Sequence, residues 1–129
     1  MRVYWDSSAL VAAVETPALQ LRLWRERGVT RSHALAEVFS TITGNPKTRV
    51  EPERAAEILE YLADSLEFVE LTPLEMLAAL KTSRKLGVRG GRVHDYFHAV
   101  AAKKGGAKKI LTLDKNNFTD LTEITLEII

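Results

Sequence analysis

The sequence predicts an α/β fold in which helices cover both faces of a mostly parallel central sheet. Short apolar stretches that favour strands alternate with longer segments whose apolar residues recur at helical spacing. The connections between successive strands are too long for hairpins and suit right-handed crossovers. At 129 residues with 46% apolar content, the chain fits a single domain, residues 1–129, with one packed core.

Local signals predict each element in the first half of the chain. Ser7 or Ser8 caps the first helix, since serine side chains accept from free helical N–H groups. Pro17 opens a second helix that Gly28 ends. Glu37 lies at the edge of the apolar face of the predicted third helix. The predicted elements are a strand over 3–5, helices over 8–14, 17–27 and 33–43, and a brief strand over 29–30.

The second half continues the alternation. Thr72 and Glu75 have the spacing of a capping box, so a helix begins between them. Gly87 and Gly105 end helices because glycine readily adopts the conformation found after a last helical turn. The predicted elements are helices over 51–66, 73–86 and 93–104, and strands over 68–71, 109–113 and 125–129.

Charge is segregated along the chain although the formal net charge is only +1. Residues 51–75 hold eight acids and one base, whereas residues 81–115 hold ten lysines or arginines and two acids, Asp95 and Asp114. A basic segment of this kind is typical of polyanion binding, and also of a solvated surface without a partner. We take Arg89, Arg92 and Lys115 as candidate contacts to a polyanion backbone.

The composition excludes several classes of site. The chain has no cysteine, so disulfides, thiolate metal sites and cysteine nucleophiles are excluded. No apolar run approaches the roughly 18 residues that span a bilayer. The first residues read as a strand and lack the charged leader and apolar stretch of a signal peptide. We therefore expect a cytoplasmic protein without membrane contact.

Four acids stand where a catalytic site would form. Asp6 and Asp114 follow predicted strands, while Glu37 and Asp95 lie on helices beside apolar stripes. Right-handed crossovers bring the carboxyl ends of parallel strands to one edge of the sheet, where ligands of such folds bind. Converging carboxylates repel one another unless a cation joins them. A hard divalent ion, Mg²⁺ or Mn²⁺, suits oxygen ligands and serves displacement at phosphorus.

The motifs around these acids resemble those of one known family. They are YWDSSAL from Tyr4, AEV from Ala36, HDYFHAVAA from His94 and ILTLDKNNF from Ile110. In residues, order and spacing they resemble the PIN-domain ribonucleases, and within them the small toxins of VapBC toxin–antitoxin pairs. The resemblance covers nearly the whole chain and implies a PIN-like three-layer fold.

The resemblance also implies an activity and its residues. It implies a Mg²⁺- or Mn²⁺-dependent endoribonuclease in which Asp6, Asp95 and Asp114 hold the metal and Glu37 completes the site or orients the attacking water. The hydroxyls of Ser8 and Thr112 would support these carboxylates by hydrogen bonds. The implied partners are an RNA substrate, a second copy of the chain and a cognate antitoxin that blocks the crevice.

Other readings stay open from the residues alone. His94 and His98 have the i, i+4 spacing of a zinc-binding pair, although the zinc-protease motif has glutamate where this chain has Asp95. We expect instead that both histidines flank the acidic crevice, exposed or in contact with RNA. A phosphoacceptor receiver domain needs a pair of acids at the end of its first strand, whereas Asp6 of this chain is followed by serines. A non-catalytic RNA- or protein-binding module would give no reason for four acids to converge. Trp24 is best explained by packing, within the domain or at a dimer contact.

Overall fold

The computed structural model, which describes residues 1–47 and 49–129, contains a five-stranded sheet with helices on both faces. The strands are β1 (Val3–Trp5), β2 (Gly28–Thr30), β3 (Leu66–Phe68), β4 (Lys109–Thr112) and β5 (Thr125–Ile128). The α-helices are α1 (Ser7–Glu15), α2 (Pro17–Glu26), α3 (His33–Gly44), α4 (Pro52–Ala63), α5 (Pro73–Thr82) and α6 (Arg92–Lys104). Two 3₁₀ helices span Ser83–Leu86 and Lys115–Phe118. The predicted α/β fold class is confirmed.

The strand order β3-β2-β1-β4-β5 places β1 at the centre of the sheet. Every strand pair of this sheet is parallel, and Tyr4 of β1 pairs with Val29 on one side and Ile110 on the other. The chain leaves β1 towards β2 and later returns to the other side of β1 as β4. In open α/β sheets such a reversal of direction leaves a crevice at the carboxyl ends of the two strands.

Neighbouring residues of β1 supply the two apolar cores, because successive side chains of a strand point to opposite faces. Trp5, fully buried, packs with Leu111 against α1, α2, α3 and α4. Tyr4, also fully buried, packs with Ile110 against α5 and α6. The strand end that precedes Asp6 is thereby fixed from both sides.

Gly28 is a residue whose role the sequence pattern did not reveal. It begins β2, and a Cβ atom there would lie 2.5 Å from Leu23 Cδ1 and 2.7 Å from Trp5 Cδ1. A side chain at this position is therefore excluded by the packing around Trp5. The glycine serves close packing, whereas the left-handed residue that ends α2 is Arg27, with φ 47°, and not Gly28 as predicted.

Several predicted boundaries are wrong. Helix α4 ends at Ala63, and β3 begins at Leu66 where residues 68–71 were expected, because Leu66 pairs with Gly28 and is buried in the Trp5 core. The helix predicted to run to residue 86 changes to 3₁₀ geometry after Thr82. Strand β4 stops at Thr112 because the next N–H, of Leu113, bonds to a side chain. No helix in the described part of the chain is long and apolar enough to cross a membrane.

Candidate functional site

Asp6 lies at the carboxyl end of β1 and caps α1. Its side chain is buried, and its Oδ1 accepts hydrogen bonds from Ser8 Oγ at 2.7 Å and from the Ala9 backbone N–H at 2.8 Å. A carboxylate at a helix N-terminus is stabilised by the free N–H groups and the helix dipole. Both hydrogen bonds end on Oδ1, which fixes the orientation of the carboxylate. The other oxygen, Oδ2, takes part in neither of them.

Ser8 and Thr112 connect the ends of β1 and β4. The Ser8 hydroxyl, besides donating to Asp6, accepts the Leu113 backbone N–H at 3.0 Å and lies 3.3 Å from Thr112 Oγ1. Thr112 is fully buried, and its hydroxyl accepts the backbone N–H of Asp114 at 3.3 Å. The two hydroxyls thus join the backbone that carries Asp114 to the carboxylate of Asp6.

Glu37 projects from α3 towards the same edge, with 23% of its side chain exposed. Its Oε1 is hydrogen-bonded to His98 Nε2 at 2.8 Å, and its Oε2 accepts a long bond of 3.5 Å from Ser7 Oγ. Burial by itself would raise the pKa of Glu37, but the hydrogen bond and the nearby imidazoles outweigh it and hold the pKa below its usual value. Glu37 is therefore a carboxylate at neutral pH.

Asp95 lies in the first turn of α6 and is half-buried. Burial raises the pKa of its carboxyl; the electrostatic effects of His98 and Arg92 act against that shift, and the negative charges of Asp6 and Glu37 add to it. The three acids are therefore close enough to repel one another. A divalent cation among them would relieve this repulsion.

Asp114 follows β4 but is exposed, and its Oδ1 accepts the Asn116 backbone N–H at 2.8 Å at the start of a 3₁₀ helix. Within residues 1–47 and 49–129, no group of three or more His, Cys, Asp or Glu side chains is arranged to hold a metal ion directly. Mg²⁺ requires only one or two carboxylates and keeps several waters. The oxygen donors of Asp6 and Asp95 thus fit a hydrated hard cation, with Glu37 and Asp114 within the same edge.

His98 is buried, which contradicts the expectation of an exposed, RNA-contacting residue. It is 1% exposed, and its Nδ1 lies 2.6 Å from the hydroxyl of Tyr4 while its Nε2 bonds to Glu37. Because both ring nitrogens are engaged, His98 cannot join His94 around a zinc ion, and the zinc reading is wrong. The signal for its position was available, since His98 stands three residues after Asp95 and shares its helical face.

His94 remains exposed and stacks on His33, with ring centroids 5.9 Å apart and ring planes 18° apart. Together with Ala36, Glu37 and Ser40 they line an open cavity of about 370 Å³. His33 lies far upstream of His94 in the sequence, and no local pattern links the two. Contact between α3 and α6 is a tertiary feature without a local signal.

The basic candidates differ in their surroundings. Arg89 and Lys115 are exposed, and Arg89 lines an open cavity of about 530 Å³ with Arg84. Arg92 is half-buried and donates from one guanidinium nitrogen to the backbone carbonyl of Thr119, and its contact with a polyanion stays a prediction. Trp24 is 66% exposed, so it does not pack within the domain as one of the two expectations had it, and a dimer contact stays a prediction.

Comparison with known proteins places this architecture in a family. The family model described as PIN domain matches residues 3–124. A search of curated proteins found no match. Among solved structures, the chain resembles the crystal structure of PAE2754 from Pyrobaculum aerophilum with a TM-score of 0.70 and 16% sequence identity, over 97% of this chain and 87% of that one. At that identity the likeness shows the fold alone.

PIN domains are generally nucleases and typically use divalent metal ions. The matched residues span β1 to the segment before β5, and so include all four acids. On this match and on its parallel sheet, the chain belongs to the PIN-domain family.

Proposed function

We propose that this chain is a Mg²⁺- or Mn²⁺-dependent endoribonuclease whose site is formed by Asp6, Glu37, Asp95 and Asp114. The observation that carries the proposal is that Asp6, buried at the end of the central strand, and Asp95, half-buried in the first turn of α6, lie near enough for their charges to interact. Acids that repel one another at the end of a central strand cost stability, so their presence favours a function that needs a cation.

In this proposal Asp6 and Asp95 hold the ion, and Asp114 contacts it through water. When bound there, a divalent ion supplies Lewis-acid polarisation of a phosphoryl oxygen and makes a coordinated water more acidic. Glu37, ionised at neutral pH, accepts a hydrogen bond from the attacking water and orients it towards phosphorus. Arg89 and Lys115 hold the phosphates on either side of the cleaved bond.

The test is cleavage of labelled single-stranded and structured RNA by the purified protein in Mg²⁺, Mn²⁺, Zn²⁺ or EDTA. Asp6→Asn and Asp95→Asn should each lower kcat at least 100-fold, about the loss caused by removing one interaction made at the reacting centre. Asp64→Asn is the matched control, because this exposed acid precedes β3 and lies at the opposite edge of a parallel sheet. Wild-type activity in EDTA, or equal losses in all three variants, would contradict the proposal.

The finer proposal is a VapC-type toxin that forms a homodimer in the cytoplasm and is inhibited by a cognate antitoxin. It is supported by the four motifs and by two exposed apolar surfaces on opposite sides of the sheet. The first, the α2 surface, consists of Leu21 and Trp24, and the second, the α5 surface, of Leu74, Leu77 and Leu80. Exposed apolar surfaces of this kind mark contacts with other proteins. We assign the α2 surface to the second copy and the α5 surface to the antitoxin.

Expression in a bacterial host tests the toxin role. Wild-type protein should stop growth, and Asp95→Asn should not, at matched soluble expression. Folded wild-type protein that cleaves RNA without slowing growth would contradict the toxin role and leave the ribonuclease proposal standing. Folded protein that cleaves no RNA with any metal would favour the non-catalytic binding module instead.

A further inference from the structure

A buried hydrogen-bonded chain runs from β1 through α6 to α3. The hydroxyl of Tyr4 lies 2.6 Å from His98 Nδ1, and His98 Nε2 lies 2.8 Å from Glu37 Oε1. Tyr4 is fully buried and His98 is 1% exposed, so water does not compete for the bond between them. The rings of Tyr4 and His98 also meet edge to face, with centroids 5.7 Å apart.

The direction of the hydrogen bonds in this chain follows from the groups at its two ends, Tyr4 and Glu37. A phenol carries its proton at neutral pH, so the hydroxyl of Tyr4 can donate to His98 Nδ1. A carboxylate can only accept, so Glu37 Oε1 accepts from His98 Nε2. A neutral imidazole satisfies both ends if Nδ1 accepts from Tyr4 and the ring proton sits on Nε2, facing Glu37. The other neutral tautomer would set a bare Nε2 against the carboxylate and leave the buried phenol proton without its acceptor.

The two oxygens of the Glu37 carboxylate are held unequally. Within the described part of the chain, Oε1 is bonded to His98, whereas Oε2 has only the long contact with Ser7. Fixing one oxygen removes the rotation of the carboxylate, which otherwise costs entropy each time a water is oriented. Oε2 is therefore the oxygen that can accept a hydrogen bond from the attacking water.

We propose that His98 is a positioning residue, locked by Tyr4 in its Nε2–H tautomer, which orients Glu37 so that its second oxygen faces the attacking water. This inference rests on the proposed nuclease function for its catalytic consequence. Its structural part concerns the tautomer alone and holds in the metal-free protein. Neither Tyr4 nor His98 touches the substrate in this scheme.

The experiment combines imidazole nitrogen NMR of the metal-free protein with steady-state RNA cleavage. His98→Gln identifies the signals of His98 by their loss, and it keeps a side-chain N–H that can reach Glu37. Wild type should show a single Nε2–H tautomer for His98, and Tyr4→Phe should show a mixture of tautomers. The control is Tyr96→Phe, because Tyr96 is a buried tyrosine whose hydroxyl bonds instead to the Ala79 carbonyl, 3.1 Å away, and to Thr82.

In cleavage, Tyr4→Phe should lower kcat about tenfold with little change in KM, as is usual for groups that orient a metal-site residue. His98→Leu should lower it about 100-fold, and His98→Gln should recover about tenfold of that loss. Tyr96→Phe should keep both the wild-type kcat and the single tautomer. This difference separates positioning from a general loss of packing.

Either of two results would overturn the inference: an Nδ1–H tautomer of His98 in the wild type, or equal effects of Tyr4→Phe and Tyr96→Phe on kcat. A wild-type protein without any cleavage would overturn the proposed function instead. The NMR comparison would then still decide whether Tyr4 directs His98 towards Glu37.

Discussion

At the scale of single residues, the candidate site combines rigid support with unfavourable charge. Asp6 is fixed by Ser8 and by the first turn of α1, and Glu37 is fixed by His98. The arrangement is unfavourable for Asp95, because burial and its acidic neighbours raise the pKa of its carboxyl. The stability of the metal-free protein should therefore depend on the charge of Asp95.

Asp95→Asn should raise the melting temperature of the metal-free protein at pH 7 by about 3 °C. This corresponds to an increase of up to about 1 kcal/mol in the free energy of unfolding. A folded-state pKa above the unfolded value favours folding while the group is protonated, and this advantage is lost as the pH rises through the folded pKa. Asparagine avoids that loss, so the difference should shrink in acid. Calorimetry in EDTA at several pH values checks this. A variant that melts below the wild type at pH 7 would contradict it.

Gly28→Ala should destabilise the fold by about 1–3 kcal/mol, because the added methyl group overpacks the contact between Leu23 and Trp5. The control is Gly44→Ala, at the end of α3, where a Cβ meets no atom within 4 Å. That change should be neutral or stabilise the protein by a few tenths of a kcal/mol. Urea unfolding of both variants measures the difference, and equal midpoints would refute the packing argument.

At the scale of elements, charged side chains tie the edge strand β5 to the rest of the sheet. Glu127 of β5 accepts hydrogen bonds from Arg22 of α2, one of them at 2.9 Å, and from Lys109 of β4 at 2.9 Å. The bond from Arg22, followed by that from Lys109, lowers the pKa of Glu127 from 4.5 to about 2. One carboxylate thus joins three elements at the side of the sheet away from β3.

Glu127→Gln should cost about 1 kcal/mol at pH 7, a modest value because the side chains are about a third exposed. With a lowered folded-state pKa, the contribution is complete above the unfolded value and is lost as the pH falls towards about 2. Urea midpoints of the two proteins should therefore converge between pH 4.5 and 2. A difference that persists or grows in acid would exclude this ion pair as its origin.

At the scale of the whole molecule, the two faces of the sheet present different apolar surfaces. Trp24 on the α2 surface and Leu74 on the α5 surface are 66% and 79% exposed. They belong to helices packed on opposite faces of the sheet. Substitutions at these two positions can therefore separate self-association from binding of another partner.

Trp24→Ser should convert a dimer into a monomer in light scattering coupled to size-exclusion chromatography, because aromatic side chains carry much of the energy of such contacts. Leu74→Ser, the matched control, should leave the dimer intact. Neither change should alter the melting temperature of the isolated chain by more than about 2 °C, since both side chains are exposed. A wild type that is monomeric at all concentrations, or a dimer lost only with Leu74→Ser, would refute the assignment.

Local patterns in the sequence determined the fold class, the order of strands and helices, and the acids that follow β1 and β4. They did so because strand and helix propensities, capping residues and glycine act over a few neighbouring positions. The same local basis explains the errors at α4 and β3. Nothing near residue 66 indicates that Leu66, rather than Phe68, pairs with Gly28.

Only the tertiary structure decided which distant residues meet. The bond from Tyr4 to His98 spans 94 positions and the bond from His98 to Glu37 spans 61. The stacking of His33 on His94, the burial of His98 and the exposure of Trp24 likewise depend on how α2, α3 and α6 pack on the sheet. These contacts arise from packing between elements, and no local pattern in either partner identifies the residue that it meets. They determine how the acids are held.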